Sequence, residues 1–257
     1  MLDKPWFTKL KSITPYIFKI ATPGGSGTGF QLFFNNRGIC GIATAYHVID
    51  HAYEWEEAIR VTHHESQKSK VLKVESRVIW AYPDKDLAFI IFGKEALPIA
   101  ETPPKLIDPK TTLKQGVEIG WLGFPSVAPP NELCFFAGYT SAYLKQSVSY
   151  LVDGVAINGV SGGPAFYSAP GSGEPRICGV VTAYMPNRTY GESLPGLCIV
   201  RSVEPYQETL QKLKSLDEAV EKKAEEEEKG QNAPLQQQEQ PKPKKQKSTR
   251  KSRERKV

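Results

Sequence analysis

The sequence predicts an all-β body followed by one helix and a charged end, and three observations carry that reading. Short β-prone runs punctuated by Gly and Pro recur through about residue 204. One apolar stripe of helical period follows. Beyond the stripe an almost entirely charged run at 221–229 leads into a segment, 230–257, dominated by Gln, Pro, Lys and Arg.

The β-prone runs fall at 16–21, 29–34, 39–45, 58–62, 70–80, 87–92, 117–122, 134–143, 150–156, 164–167, 177–183 and 196–201. Strands at this spacing read as a sandwich or a barrel, and periodicity alone does not choose between them. A body of this length buries a sizeable core. Between 96 and 112, Pro98, Pro103, Pro104 and Pro109 interrupt any strand pattern, so the boundary between two halves is expected there. Residues 48–55 suit a short helical turn. Tyr206, Leu210, Leu213 and Val220, with Leu216 beside them, form the helical stripe, and Pro205 is tolerated in a first turn. The expected organisation is a body over 1–204, a helix over 205–229 and a tail over 230–257.

The tail holds nine Lys and Arg against two Glu, a net +7, whereas the whole chain is +5, so the remainder sums to −2. A segment so polar cannot offset its ordering entropy and is expected to be disordered. It reads either as a solubilising tail or as an electrostatic attachment to nucleic acid, an acidic protein partner or, in a nucleated cell, an import receptor. No aromatic residue interleaves the charges, so any nucleic-acid binding is expected to be salt-sensitive and sequence-tolerant.

Cys40, Cys134, Cys178 and Cys198 occur without Cys-x-x-Cys spacing in apolar surroundings, and read as buried thiols rather than disulfides or metal ligands. His63 and His64 read as a solvated hairpin, not a metal site. The N-terminal residues show no charged and then apolar leader pattern, and no apolar run approaches the roughly 20 residues of a membrane helix. The expectation is a soluble, cytoplasmic protein.

Chemistry enters at Gly159-Val160-Ser161-Gly162-Gly163-Pro164. A serine between glycines can sit on a tight turn with its hydroxyl exposed, and the N–H groups of Gly159 and Ser161 can converge as an oxyanion hole. Serine is a poor nucleophile at neutral pH and needs an imidazole to take its proton and a carboxylate to orient that imidazole. His47 ends an apolar β-prone run, and Asp86 directly precedes another. Asp84 and Asp50 are alternative orienters. Asp86 is preferred because it abuts the strand, whereas Asp84 follows Pro83 in turn-like sequence.

In this order, with 39 residues from His47 to Asp86 and 75 from Asp86 to Ser161, the motifs resemble those of the chymotrypsin-like (trypsin-like) serine peptidases. Those enzymes carry Thr-Ala-x-His, an Asp before a strand, and Gly-x-Ser-Gly-Gly-Pro. Asp86-Leu87-Ala88 and Gly25-Ser26-Gly27-Thr28-Gly29-Phe30 look most like the zymogen-free HtrA-type protease domains, without room for a PDZ domain. The resemblance covers about 14–204 and implies two six-stranded antiparallel β-barrels with a C-terminal helix. It implies a serine endopeptidase in which Ser161 attacks, His47 shuttles the proton, Asp86 orients His47 and no cofactor or metal takes part. Val160 replaces the Asp that pairs with a new N-terminus in activated zymogens, so no such activation is expected.

The resemblance also places the substrate pocket beside Val155 to Asn158, Thr182, Ala183, Tyr184 and Leu197 to Ile199. No carboxylate stands near Val155, and an Arg or Lys side chain buried there would cost several kcal/mol, so an uncharged P1 residue is expected. Residues 185–191 read as a loop able to reach over the pocket, where Arg188 would instead favour an acidic P1. The competing functional readings are a protease-like binding scaffold recruited by its basic tail, and a latent peptidase gated by a partner.

Overall fold

In the computed structural model, which describes residues 6–95, 97–168, 173–189 and 192–231 (186–189, 192–195, 225 and 227–231 as backbone alone), the β-prone runs form two antiparallel sheets in succession. After a short helix α1 (Trp6–Leu10), the first sheet comprises β1 (Ile17–Thr22), β2 (Gly25–Phe34), β3 (Ile39–Thr44), β4 (Ile59–His63), β5 (Ser69–Leu72), β6 (Arg77–Tyr82) and β7 (Leu87–Gly93), ordered β5-β4-β1-β2-β3-β7-β6. A helix α2 (Asp50–Glu54) intervenes between β3 and β4. The second sheet comprises β8 (Glu118–Gly123), β9 (Cys134–Leu144), β10 (Ser149–Asp153), β11 (Pro164–Ser168), β12 (Pro175–Thr189) and β13 (Glu192–Ser202), and closes as a barrel in the order β10-β13-β12-β11-β8-β9. A long helix α3 (Glu204–Gln231) follows.

The second barrel has the six strands the resemblance implies, whereas the first half has seven in a curled sheet. The extra strand comes from the run at 70–80, which bends through a 3-10 turn at Val74–Ser76 without Gly or Pro to mark it. Here a side chain replaces a ladder: the Arg77 guanidinium donates to the Leu72 carbonyl at 2.7 Å and to the Ala52 carbonyl at 3.0 Å.

β7 explains why its sequence is apolar almost throughout. Its side chains alternate between two cores, Leu87 and Phe89 facing one and Ala88, Ile90 and Phe92 the other. Its neighbour β3 does the same with Ala43 against Cys40 and Ile42. The larger core runs from Phe30 and Phe89 to Trp121, Phe166 and Val200, so both sheets contribute to it. β3, which leads to His47, and β7, which follows Asp86, are thereby packed on both faces, which is what a rigid scaffold requires.

The Ser202 hydroxyl accepts from the Glu204 N–H at the start of α3. Tyr206 is fully buried, and Leu210 and Leu213 pack on the larger core, but Leu216 is 57% exposed and Val220 46%. The apolar stripe therefore ends at Leu213, one turn and more before the sequence pattern does. Residues up to 215 form one compact unit, and a second begins at Leu216. The expectation for 230–257 falls, from residue 232 onward, outside the described residues.

His63 is a correction. It is buried, with Nδ1 3.0 Å from the Ser66 hydroxyl and Nε2 2.9 Å from the Pro15 carbonyl, because β4 pairs with β1 and turns it inward. Among the described residues no helix is long and apolar enough to cross a membrane. The cysteines are free, and burial pushes the thiols of Cys40, Cys178 and Cys198 up to about 12, leaving them without thiolate character near neutral pH.

Candidate active site

His47 lies just past β3, in a 3-10 turn at Tyr46–Val48 that leads into α2. Asp86 ends the 3-10 turn Pro83–Lys85 between β6 and β7, in left-handed backbone at φ 51°. That conformation costs most L-residues about 1–2 kcal/mol, and Asp is among the few that adopt it. It aims the carboxylate at the neighbouring turn. Asp86 Oδ1 accepts from the His47 backbone N–H at 3.0 Å, and Oδ2 lies 2.9 Å from His47 Nδ1. With the Nδ1 proton on that bond, Nε2 presents its lone pair. Of the three carboxylates weighed, Asp50 accepts instead from the His51 N–H at 2.6 Å, and Asp84 has no hydrogen bond to His47 among the described residues. The bond to Asp86 raises the His47 pKa above its usual 6.5; burial opposes this, and the charges of Asp86 and Asp50 reinforce it. The imidazole side chain is 43% exposed, open to a reactant.

Ser161 lies between β10 and β11, on a turn with Gly159 at φ +91° and Gly162 at φ +86°. A Cβ at Gly162 would fall 2.0 Å from the Thr28 carbonyl oxygen and 2.2 Å from Thr44 Oγ1, so no side chain fits. The N–H groups of Val160, Gly162 and Gly163 donate to the carbonyls of Ile157, Val181 and Val160 at 3.0, 2.7 and 3.0 Å. Those of Gly159 and Ser161 donate to no backbone carbonyl among the described residues. The loop spends the amides of Val160, Gly162 and Gly163 on its own shape and leaves those of Gly159 and Ser161 without a backbone acceptor among the described residues.

Thr28 is the residue that sequence reasoning passed over. Its N–H donates to the Ser161 carbonyl at 2.8 Å, and its hydroxyl donates to the Gly159 carbonyl at 2.8 Å while accepting from the Phe124 N–H at 3.1 Å. Its own carbonyl accepts from Thr44 Oγ1 at 2.7 Å. One buried residue of β2 thus holds the serine turn from the opposite half. The signal was present as a lone polar residue between Gly27 and Gly29, at each of which a Cβ would collide with a neighbour.

His47 and Ser161 line one cleft of about 220 Å³ with Thr22, Ser26, Asp50 and His51. The Ser161 hydroxyl points to the Thr182 carbonyl at 3.5 Å, a weak contact, and makes no hydrogen bond to His47 among the described residues. Thr182 is buried at a bulge in the β12–β13 ladder, while Ala183 and Tyr184 beyond it are exposed. Val155 is half exposed on the loop after β10 and does not line the cleft. β11 pairs with β12 only as far as Val180, so from Thr182 onward that edge of β12 has no strand partner among the described residues. The segment read as a loop at 185–191 is instead strand as far as Thr189, paired with β13 through Asn187, Arg188 and Thr189. The Arg188 side chain lies outside the described residues.

A scan against protein-family models returns no match, nor does a comparison with curated proteins. Among solved structures the chain is similar to Deg5, with a TM-score of 0.57 and 19% identity over 79% of this chain and 90% of that one. It is similar to the HtrA-type protease AlgW, solved with a decapeptide, with a TM-score of 0.59 and 13% identity over 82% of this chain and 67% of that one. It is also similar to the inactive form of the Rv3671c protease, with a TM-score of 0.56 and 17% identity over 82% and 97%. The fold is therefore the chymotrypsin-like fold in the form seen in HtrA-type protease domains.

Proposed function

We propose that the chain is a serine endopeptidase that hydrolyses polypeptides through an acyl-enzyme. The observation that carries this reading is one cleft flanked by Ser161 and by a His47 already bonded to Asp86, beside a turn with two unspent amides. In this reading, rotation about the Ser161 Cα–Cβ bond turns Oγ from the Thr182 carbonyl towards His47 Nε2. Oγ then attacks the scissile carbonyl carbon as Nε2 takes its proton, and the Gly159 and Ser161 N–H groups receive the oxyanion. The C–N bond breaks as the imidazolium returns that proton to the leaving amine. Water, deprotonated by His47, releases the acyl group.

The acyl half of the substrate adds as a strand to the open edge of β12, where Thr182 offers its carbonyl to the substrate backbone. The leaving half passes His47, which must protonate it, into the cleft lined by Thr22, Ser26, Asp50 and His51. An uncharged P1 residue fits this reading, since none of Val155, Thr182, Ala183 and Tyr184 carries a charge. The alternative is the partner-gated peptidase, favoured by the hydroxyl facing Thr182 rather than His47.

Labelling with a fluorophosphonate, read by intact mass, decides. An adduct at Ser161 that is lost in Ser161→Ala and His47→Ala supports the constitutive enzyme. An unlabelled wild type overturns it and turns attention to the gated form.

A further inference from the structure

The hairpin that carries Asp86 is held from behind by α3. Tyr82 closes β6, Leu87 opens β7, and the turn between them ends on Asp86. Both stems of this hairpin hydrogen-bond to one face of the helix. On the first stem the Tyr82 hydroxyl bonds Thr209 Oγ1, whose own proton goes to the Pro205 carbonyl at 3.1 Å. On the second the Tyr206 hydroxyl lies 2.9 Å from the Ala88 carbonyl. The same hydroxyl lies 2.8 Å from the carbonyl of Thr44 in β3.

Thr44 and Ala88 are partners in the β3–β7 register, the final pair before the chain leaves one strand for His47 and enters the other from Asp86. A single O–H proton is therefore shared between the strand that delivers the imidazole and the strand that delivers its carboxylate. The ring of Tyr206 is wholly buried, edge-on to Tyr82 at 6.4 Å and tilted on Phe89 at 5.9 Å. Packing alone would be served by Phe. A hydroxyl in such a place costs free energy unless it is bonded, and both of its acceptors sit at the very end of the ladder. The helix in turn has its own anchors: the Gln207 amide donates to the Ile107 carbonyl at 2.7 Å, and the Val203 N–H just before the helix donates to the Cys178 carbonyl at 3.3 Å.

We propose that Tyr206, seconded by Thr209, is a positioning residue of the candidate active site, its buried hydroxyl fixing the spacing between the strand ends that bear His47 and Asp86. The proposal rests on the peptidase reading for its consequence in turnover, but its geometry is independent of that reading. A catalytic group displaced by 1 Å loses roughly a hundredfold in rate, so loosening a clamp two or three residues from each partner is expected to cost about tenfold.

The test uses the full chain with Tyr206→Phe, which keeps the ring and removes the hydroxyl. Three quantities are measured: the His47 titration by NMR, kcat and KM on a peptide ester, and the thermal midpoint. The expected result is kcat lower by about tenfold at unchanged KM, with the His47 titration moved down towards the ordinary imidazole value as its bond to Asp86 loosens. Thr209→Val should act in the same direction more weakly, and Thr209→Ser, which keeps the hydroxyl, should restore both readings. An unmoved titration with unmoved kcat overturns the proposal even where the midpoint falls, since that pattern is packing alone. If Tyr206→Phe does not fold, the Thr209 pair decides. The titration is read without turnover, so a wild type that no fluorophosphonate labels overturns the constitutive peptidase while the clamp is still judged.

Discussion

The two halves hold their share of the site by different physics. In the first, His47 and Asp86 stand at the ends of strands packed on both faces and meet through side-chain hydrogen bonds of 2.9 to 3.0 Å. In the second, Ser161 rides on a turn whose shape is set by backbone, with left-handed glycines at 159 and 162 and the amides of Val160, Gly162 and Gly163 bonded to backbone carbonyls. A side-chain network loosens by degrees, because each bond can weaken while its neighbours persist. A glycine turn does not, because a single Cβ meets backbone that has nowhere to go. Substitutions on the serine side should therefore fail sharply, and those on the histidine side should be graded.

Gly162→Ala should have the largest effect on stability. Positive φ and a Cβ 2.0 Å from the Thr28 carbonyl oxygen together should cost roughly 3–5 kcal/mol. That is a large part of the total stability of a domain. Both the denaturant midpoint and fluorophosphonate labelling should fall; an unchanged midpoint would break the contrast between the halves. Ser161→Ala should lower turnover by several orders of magnitude and leave the midpoint where it was, since the hydroxyl makes only a weak contact to Thr182. Asp86→Asn should lower kcat by about 10⁴-fold, the general size of the effect when a triad carboxylate is made a neutral amide.

Thr28→Val tests the seam between the halves. It leaves the Phe124 N–H and Gly159 carbonyl without a buried partner, at about 1–3 kcal/mol each. The rate of labelling should drop while the His47 titration stays in place. A moved titration would show that the two halves are not separable in the way described.

Much of this site was legible in the sequence because the residue types themselves carry the chemistry: a Ser among glycines, a His ending an apolar run, and a carboxylate abutting one. Thr28 and Tyr206 were not legible as site residues. Each is fully buried in the fold, and its meaning depends on partners 131 residues away for Thr28, and 162 and 118 away for Tyr206. No local pattern reports such distances. The strand runs were legible for the same reason that β7 was, an unbroken apolar segment serving two cores. The run at 70–80 misled because Val74-Glu75-Ser76 turns with residues that are also at home in a strand, and only the sheet reveals the bend. The end of the stripe on α3 was equally hidden, since Leu216 and Val220 keep the helical period although the core beneath them has ended.

The smallest expected effect lies at Asp50, and it probes the histidine side without touching the bond to Asp86. Its charge helps to raise the His47 pKa, acting after the Asp86 hydrogen bond, and its carboxylate lines the same cleft. His47 must be neutral to act as a base, so activity should rise with pH through a value above the usual 6.5. Stability runs the other way. A pKa raised by folding means that the folded state binds the proton more tightly, so this contribution is fully present below 6.5 and is lost as pH rises through the folded value. Activity gained and stability lost should therefore share one window. In Asp50→Asn both the acid limb of kcat/KM and the stability curve should move to lower pH, by less than in Asp86→Asn. If the activity limb moves and the stability curve does not, the limb belongs to a group other than His47, and the graded network assigned to the first half loses its central member.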